Sequence, residues 1–353
     1  MPGHAHEPNC HLSAQVINTI RRACRAPARS LSMCLFLNTR ANSLVGLVML
    51  FFLAACGGGA DESPEKASAT SETRQGMTPS TVDGLDIAWE AAGAGPATLV
   101  FIHGWQCDRG FWREQIAQFA DGYRVVLVDL PGHGESAGGR EDWSMAAFGQ
   151  DVAAVVREVV SGPVVLIGHS MGGPVILEAA PHIEALVGLV AVDTLRDALA
   201  SPPDEAALSA ALAPVEADYA GVVQGFIESM FVASTPPALR AEIQATMSAG
   251  DPETGIGMMR GYARMDYAAA FERLAVPLVI INSDYRPTPA EALRERYPAL
   301  RVETIEGVGH FPMLEAPQRF NAALEDILAV WFDGAARTGA DRQQATEPAE
   351  QDV

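Results

Sequence analysis

The sequence predicts an α/β fold: a mostly parallel, doubly wound sheet with helices on both sides and one helical insertion. Three observations predict it. Short, continuous apolar runs rich in β-formers recur along residues 82–333, as strands buried on both faces of a parallel sheet require. Stretches of helical length separate them, and alternating strand–helix units build a parallel sheet. The alternation then fails over about 195–273, where the chain turns Ala-rich and is broken by Pro202-Pro203, Pro236-Pro237 and Gly250-Asp251-Pro252. That stretch reads as several short helices.

The front of the chain obeys different rules. Residues 1–55 carry Arg21, Arg22, Arg25, Arg29 and Arg40 against one acid, Glu7, in a protein of net charge −20. Residues 44–55 form an apolar run, LVGLVMLFFLAA. It is short for a membrane span of about 20 residues and fits the core of a signal peptide. The run ends Leu53-Ala54-Ala55-Cys56-Gly57-Gly58-Gly59, which resembles the lipobox of a bacterial lipoprotein. The resemblance implies that Cys56 is lipidated and becomes the mature N-terminus. It also implies a membrane partner through a palmitate-type anchor and a place in the bacterial envelope, facing the periplasm. Met33 is a second candidate start, with MCLFLNTR as its short basic segment. Residues 56–81 are Gly, Ala, Ser, Thr, Glu and Pro with little apolar content, and read as a disordered tether. Residues 334–353 read as a disordered acidic tail.

Within the body the predicted strands are 99–102, 124–128, 164–167, 186–192, 278–281 and 302–305. Helical stretches lie at 112–120, 144–160, 172–181 and 290–296. A last helix at 317–332 places Phe320, Leu324, Ile327, Leu328 and Trp331 on one face. Inside the insertion, Phe226, Met230, Met258, Met259, Tyr262 and Met265 supply lid core and the wall of an adaptable apolar pocket.

The chemistry centres on Val164-Val-Leu-Ile-Gly168-His169-Ser170-Met171-Gly172-Gly173, a strand, a sharp turn and a helix start. A serine in such a turn projects its Oγ, and the flanking glycines let strand and helix approach without a Cβ clash. The helix N-terminus behind it favours developing negative charge. Three further segments accompany it: Phe101-Ile-His103-Gly104-Trp105, Asp129-Leu-Pro131-Gly132-His133-Gly134-Glu-Ser136, and Gly307-Val-Gly309-His310-Phe-Pro-Met-Leu-Glu315. With these four in order, the body resembles the lid-bearing serine branch of the α/β-hydrolase superfamily over about 82–333. The resemblance implies an α/β-hydrolase fold with the helical lid between strands 6 and 7 of the family's sheet. It implies Ser170 as nucleophile and His310 as general base, with the backbone N–H groups of Trp105 and Met171 as the oxyanion hole. His103, His133 and His169 belong to the loop motifs and read as structural.

The acid departs from the family pattern. In Ile281-Asn282-Ser283-Asp284-Tyr285-Arg286, Asp284 stands earlier after Pro277 than expected, and a gap-free match puts Arg286 at the acid position. Asp193, at the end of the run Val190-Ala-Val-Asp193-Thr194, is the rival. Separation from His310 favours Asp284; the gap-free match favours Asp193. Asp284 is the preferred reading.

Serine, histidine and an acid suit acyl transfer on a small-molecule ester or similar activated acyl substrate. Carbon–carbon bond hydrolysis, cofactor-free haloperoxidase chemistry and a hydrolase-like binding lipoprotein are the competing readings. No metal constellation appears in the body, and no G-x-G-x-x-G opens a helix, so neither a metal nor a cofactor is expected. The strong acidity argues against nucleic acid, whose phosphates need a basic surface. Oligomeric state is open. Cys107, alone in the body, reads as a packed thiol.

Overall fold

The computed structural model describes residues 73–344. The presequence, the apolar run, Cys56 and the expected tether up to residue 72 lie outside the described residues, as do residues 345–353. Eight strands form one sheet: β1 (Arg74–Pro79), β2 (Asp86–Ala92), β3 (Thr98–Ile102), β4 (Arg124–Val128), β5 (Val164–His169), β6 (Leu186–Val192), β7 (Leu278–Ser283) and β8 (Arg301–Ile305). Their spatial order is β1-β2-β4-β3-β5-β6-β7-β8. The β1–β2 and β2–β4 pairs are antiparallel, and every pair from β4 through β8 is parallel.

Two boundaries differ from the sequence reading. Residues 74–79, expected inside the tether, form β1 and pair from Arg74↔Ala91 to Pro79↔Asp86. An edge strand keeps mostly polar, exposed residues, so its composition mimics a linker. It is anchored instead by the Trp89 indole, which donates to Thr78 Oγ1 at 3.1 Å. At the other end the last helix runs Pro317–Gln344, past the predicted end at 332. Ala, Arg and Gln in residues 335–344 sustain a helix even where the sequence looks like a tail.

The crossovers decide which face each helix covers. From β3 the chain passes through α1 (Arg113–Phe119) to β4 in one direction, then through α2 (Met145–Val159) back past β3 to β5. Right-handed crossovers in opposite directions put their helices on opposite faces. Accordingly α2 packs with α3 (Gly172–Ala179), while α1 packs with the C-terminal helix. Beside β3 the loops leave β3 and β5 in opposite directions, which opens a crevice at the carboxyl ends of the strands.

The insertion between β6 and β7 is helical as expected: α4 (Glu205–Ala217), α5 (Tyr219–Glu228), α6 (Pro237–Ser248), α7 (Pro252–Ala263) and α8 (Tyr267–Glu272). The residues that broke the strand–helix pattern are helix starts. Asp204, Asp218, Asp251 and Asp266 each accept a backbone N–H of the first turn, satisfying a donor the helix leaves open. Pro237 and Pro252 occupy first-turn positions, where the missing N–H costs nothing. After β7 follow α9 (Ala290–Arg296), then, beyond β8, α10 (Pro312–Glu315) and the last helix, α11.

Candidate active site

Ser170 sits between β5 and α3 with φ +52°, a left-handed conformation that only tight surroundings maintain in a non-glycine residue. Its N–H donates to Val192 O at 2.9 Å, and its carbonyl accepts the Thr194 hydroxyl at 2.7 Å. The glycines around it are required by backbone contact. A Cβ at Gly168 would stand 2.2 Å from Gly172 O, and one at Gly172 would stand 2.6 Å from Ile102 O. Gly104 plays the same part from the other side, where a Cβ would meet Ser170 Cβ at 3.0 Å.

His310 follows β8 and faces the serine, its Nε2 lying 2.9 Å from Ser170 Oγ. The histidine is held from three directions. Its backbone N–H donates to Met230 O at 2.9 Å. Glu315 Oε2 accepts Gly309 N–H at 2.9 Å, and Glu315 Oε1 accepts Phe311 N–H at 3.1 Å. The neighbouring His169 Nε2–H donates to the His310 carbonyl at 2.9 Å. Burial, then the proximity of His310, lower the His169 pKa to about 3, so this imidazole is neutral and acts as a strut.

The carboxylate at His310 is that of Asp193, whose Oδ2 lies 2.5 Å from Nδ1. This corrects the sequence preference. Asp284 is exposed and turned away, with Oδ1 accepting Gly307 N–H at 2.7 Å. The reason is local. β7 ends at Ser283, and there both the N–H and the hydroxyl donate to Asp193 Oδ1, at 2.7 and 2.6 Å. The residue after it therefore points out of the cluster and ties down the loop before His310.

Sequence reasoning missed two neighbours of the Asp193–His310 pair. Arg196 Nη2 donates to Asp193 Oδ1 at 2.7 Å and to Ser283 O at 2.9 Å. Tyr285 lies under the Arg196 guanidinium, 5.2 Å from ring centroid to Cζ, with its Oη 3.3 Å from His310 Nδ1. Burial works against the Asp193 anion, but His310 and Arg196 outweigh it and hold its pKa below the usual carboxylate range. Burial, then the Asp193 charge, push the Tyr285 phenol up to about 12. An arginine three residues after the aspartate was the available signal.

The loop after β3 is pinned by imidazoles. His103 Nε2 accepts Leu130 N–H at 3.0 Å, and His133 Nε2 accepts Gln106 N–H at 3.1 Å. Both are structural in this geometry. The backbone N–H groups of Trp105 and Met171 donate to no protein acceptor among the described residues, and both residues line the cavity beside Ser170. Trp105 also holds the lid, donating its indole N–H to Gly255 O at 3.0 Å. Cys107 is buried, and burial raises its thiol pKa well above the ordinary value. Over the site lies a cavity of about 280 Å³ whose walls are mostly lid side chains.

The chain is similar to known proteins in sequence and in fold. A family model described as the alpha/beta hydrolase family matches residues 99–323. The pimeloyl-[acyl-carrier protein] methyl ester esterase of Xanthomonas campestris is 31% identical over 260 residues, 67% of this chain and 98% of that one. The corresponding esterase of Aeromonas hydrophila is 29% identical, over 69% of this chain and 100% of its own. Among solved structures, a thermophilic esterase from Thermogutta terrifontis superposes with TM-score 0.63 at 26% identity, over 72% of this chain and 98% of that one. A bromoperoxidase from Bacillus anthracis shares the fold, with TM-score 0.62 at 20% identity, over 72% of this chain and 99% of its own.

Proposed function

The chain belongs to the alpha/beta hydrolase family, and we propose that it hydrolyses a carboxylic ester or similar activated acyl group through an acyl-enzyme on Ser170. The observation that carries the reading is the continuous chain from Ser170 Oγ through His310 to Asp193. In the first step Ser170 Oγ attacks the carbonyl carbon while its proton passes to His310 Nε2. The carbonyl oxygen becomes an oxyanion, for which the free N–H groups of Trp105 and Met171 are the donors; such a donor is worth about 3–4 kcal/mol in the transition state. The carbon–oxygen bond to the alcohol then breaks, and the His310 proton leaves with the alkoxide. Water attacks the acyl-enzyme with His310 as base, releasing the acid and restoring Ser170. Asp193 keeps Nδ1 protonated and balances the imidazolium.

The esterase relatives support ester cleavage over carbon–carbon hydrolysis or haloperoxidase chemistry, since the bromoperoxidase likeness is one of fold alone. The test is turnover of p-nitrophenyl esters by purified protein. The wild type hydrolyses them and Ser170→Ala does not; equal turnover by the two removes the proposal.

The same proposal extends to location. The apolar run at 44–55 directs export, and Cys56 carries a lipid that tethers the hydrolase to the envelope of a bacterium on its periplasmic side. Among the described residues no single helix is long and apolar enough to cross a membrane.

A further inference from the structure

The walls of the cavity beside Ser170 are chemically unusual. Six methionines line it: Met171, Met230, Met247, Met258, Met259 and Met265. They are half of the 12 methionines in the whole chain. They come from the elbow and from separate parts of the lid, so the enrichment belongs to the space rather than to one helix. Methionine is unbranched, with three rotatable bonds and a polarizable sulfur, and it moulds itself around flexible apolar guests. Between them stand Leu208, Leu212, Val222, Val223 and Phe226.

The polar groups at the wall are largely committed elsewhere. Arg196 is held by Asp193 and Ser283 O. The Trp105 indole N–H is spent on Gly255 O. Asp197 and Arg286 also line the cavity; burial raises the Asp197 pKa, and the nearby Arg286 charge only partly counters it. Along the stretch of wall built by the methionines and their aliphatic neighbours, a guest bearing a carboxylate, phosphate or several hydroxyls would lose its water without gaining a partner, which costs several kcal/mol per group. A hydrocarbon chain loses nothing and gains burial.

We propose that this cavity binds the unbranched, uncharged aliphatic chain of the substrate. The assignment deepens the esterase reading and rests on it for the word substrate, though binding itself does not need turnover. The chain comes from the acyl or the alcohol side of the ester, and the chemistry of the wall is the same for both.

The experiment has a binding arm and a kinetic arm. In the first, Ser170→Ala protein is titrated calorimetrically with straight-chain primary alkanols from butanol to decanol. Affinity rises about three- to fourfold per methylene until the cavity is full, and Val223→Trp, checked for fold by circular dichroism, flattens that rise. In the second arm, kcat/KM is measured on wild type for p-nitrophenyl esters of increasing acyl length and for acetates of increasing alkyl length. The series that climbs identifies the side of the ester in the cavity. A chain ending in a carboxylate falls at least tenfold below its methyl-ended counterpart. Alkanol affinity that does not change with length overturns the proposal, as does a Val223→Trp protein, folded, with an unaltered rise. Rising affinity with no hydrolysis of any ester leaves the cavity assignment standing and removes the esterase reading instead.

Discussion

Asp193 Oδ2 lies 2.5 Å from His310 Nδ1, and it reaches that point from a residue with φ +48°. The strained backbone turns the carboxylate back across the ends of β6 and β7. Three further hydrogen bonds, from Ser283 and Arg196, then fix its second oxygen.

This geometry separates the two candidate acids. Asp193→Asn lowers kcat by about 10⁴, the size of effect expected when the histidine loses the partner that sets its tautomer. Asp284→Asn leaves kcat within a small factor, because among the described residues its carboxylate accepts only Gly307 N–H. Steady-state kinetics on the two variants, with a circular dichroism check of folding, distinguishes them. Comparable losses would contradict the assignment.

The elbow makes a prediction about backbone space. Gly172→Ala drives a Cβ to 2.6 Å from Ile102 O, a backbone atom that cannot swing aside. Overpacking of this kind costs about 1–3 kcal/mol or more, and here it also displaces Ser170. The expected result is a lower Tm together with loss of ester turnover. Gly122→Ala is the control, since nothing lies within 4 Å of the added atom.

Buried imidazoles make stability fall in acid. His169 titrates at about 3 in the folded protein against about 6.5 in an unfolded chain. Between those values the unfolded state binds more protons, so stability is fully present above about pH 6.5 and declines toward pH 3. Burial lowers His103 and His133 as well, so they contribute with the same sign. Urea unfolding from pH 7 to pH 4 gives the slope. His169→Gln makes it shallower without abolishing it; an unchanged slope would refute the buried, neutral imidazole.

The proposed anchor is tested by fractionation of a bacterial host. The wild-type protein partitions with membranes and its Cys56→Ser variant does not. Membrane association that survives the substitution assigns anchoring to the apolar run itself.

How far the sequence revealed all this follows from the range of each signal. The elbow, the His310 loop and the six apolar strands are written in contiguous residues, because a local turn and a buried strand each need a local composition. The acid is different. Whether Asp193 or Asp284 meets His310 depends on how the ends of β6 and β7 align, and Val192↔Ile281 pairing is invisible in either segment alone. β1 and β2 escaped for another reason: an exposed edge and an Ala-rich strand lack the apolar run that marks a buried one. Arg196 stands only three residues after Asp193, a local signal the sequence reading passed over, whereas Tyr285 reaches His310 only through the fold. The lid was legible as helical from its Ala-rich composition and its Pro breaks, but its cavity comes from side chains spread over five helices and the elbow.

The central claim concerns Ser170, and active-site labelling tests it most directly. Folded protein is treated with a fluorophosphonate and the modified peptide is identified by mass spectrometry. One phosphonyl group on Ser170, absent after His310→Ala, is the predicted result. A folded protein left unlabelled, or labelled at another residue, would contradict the account.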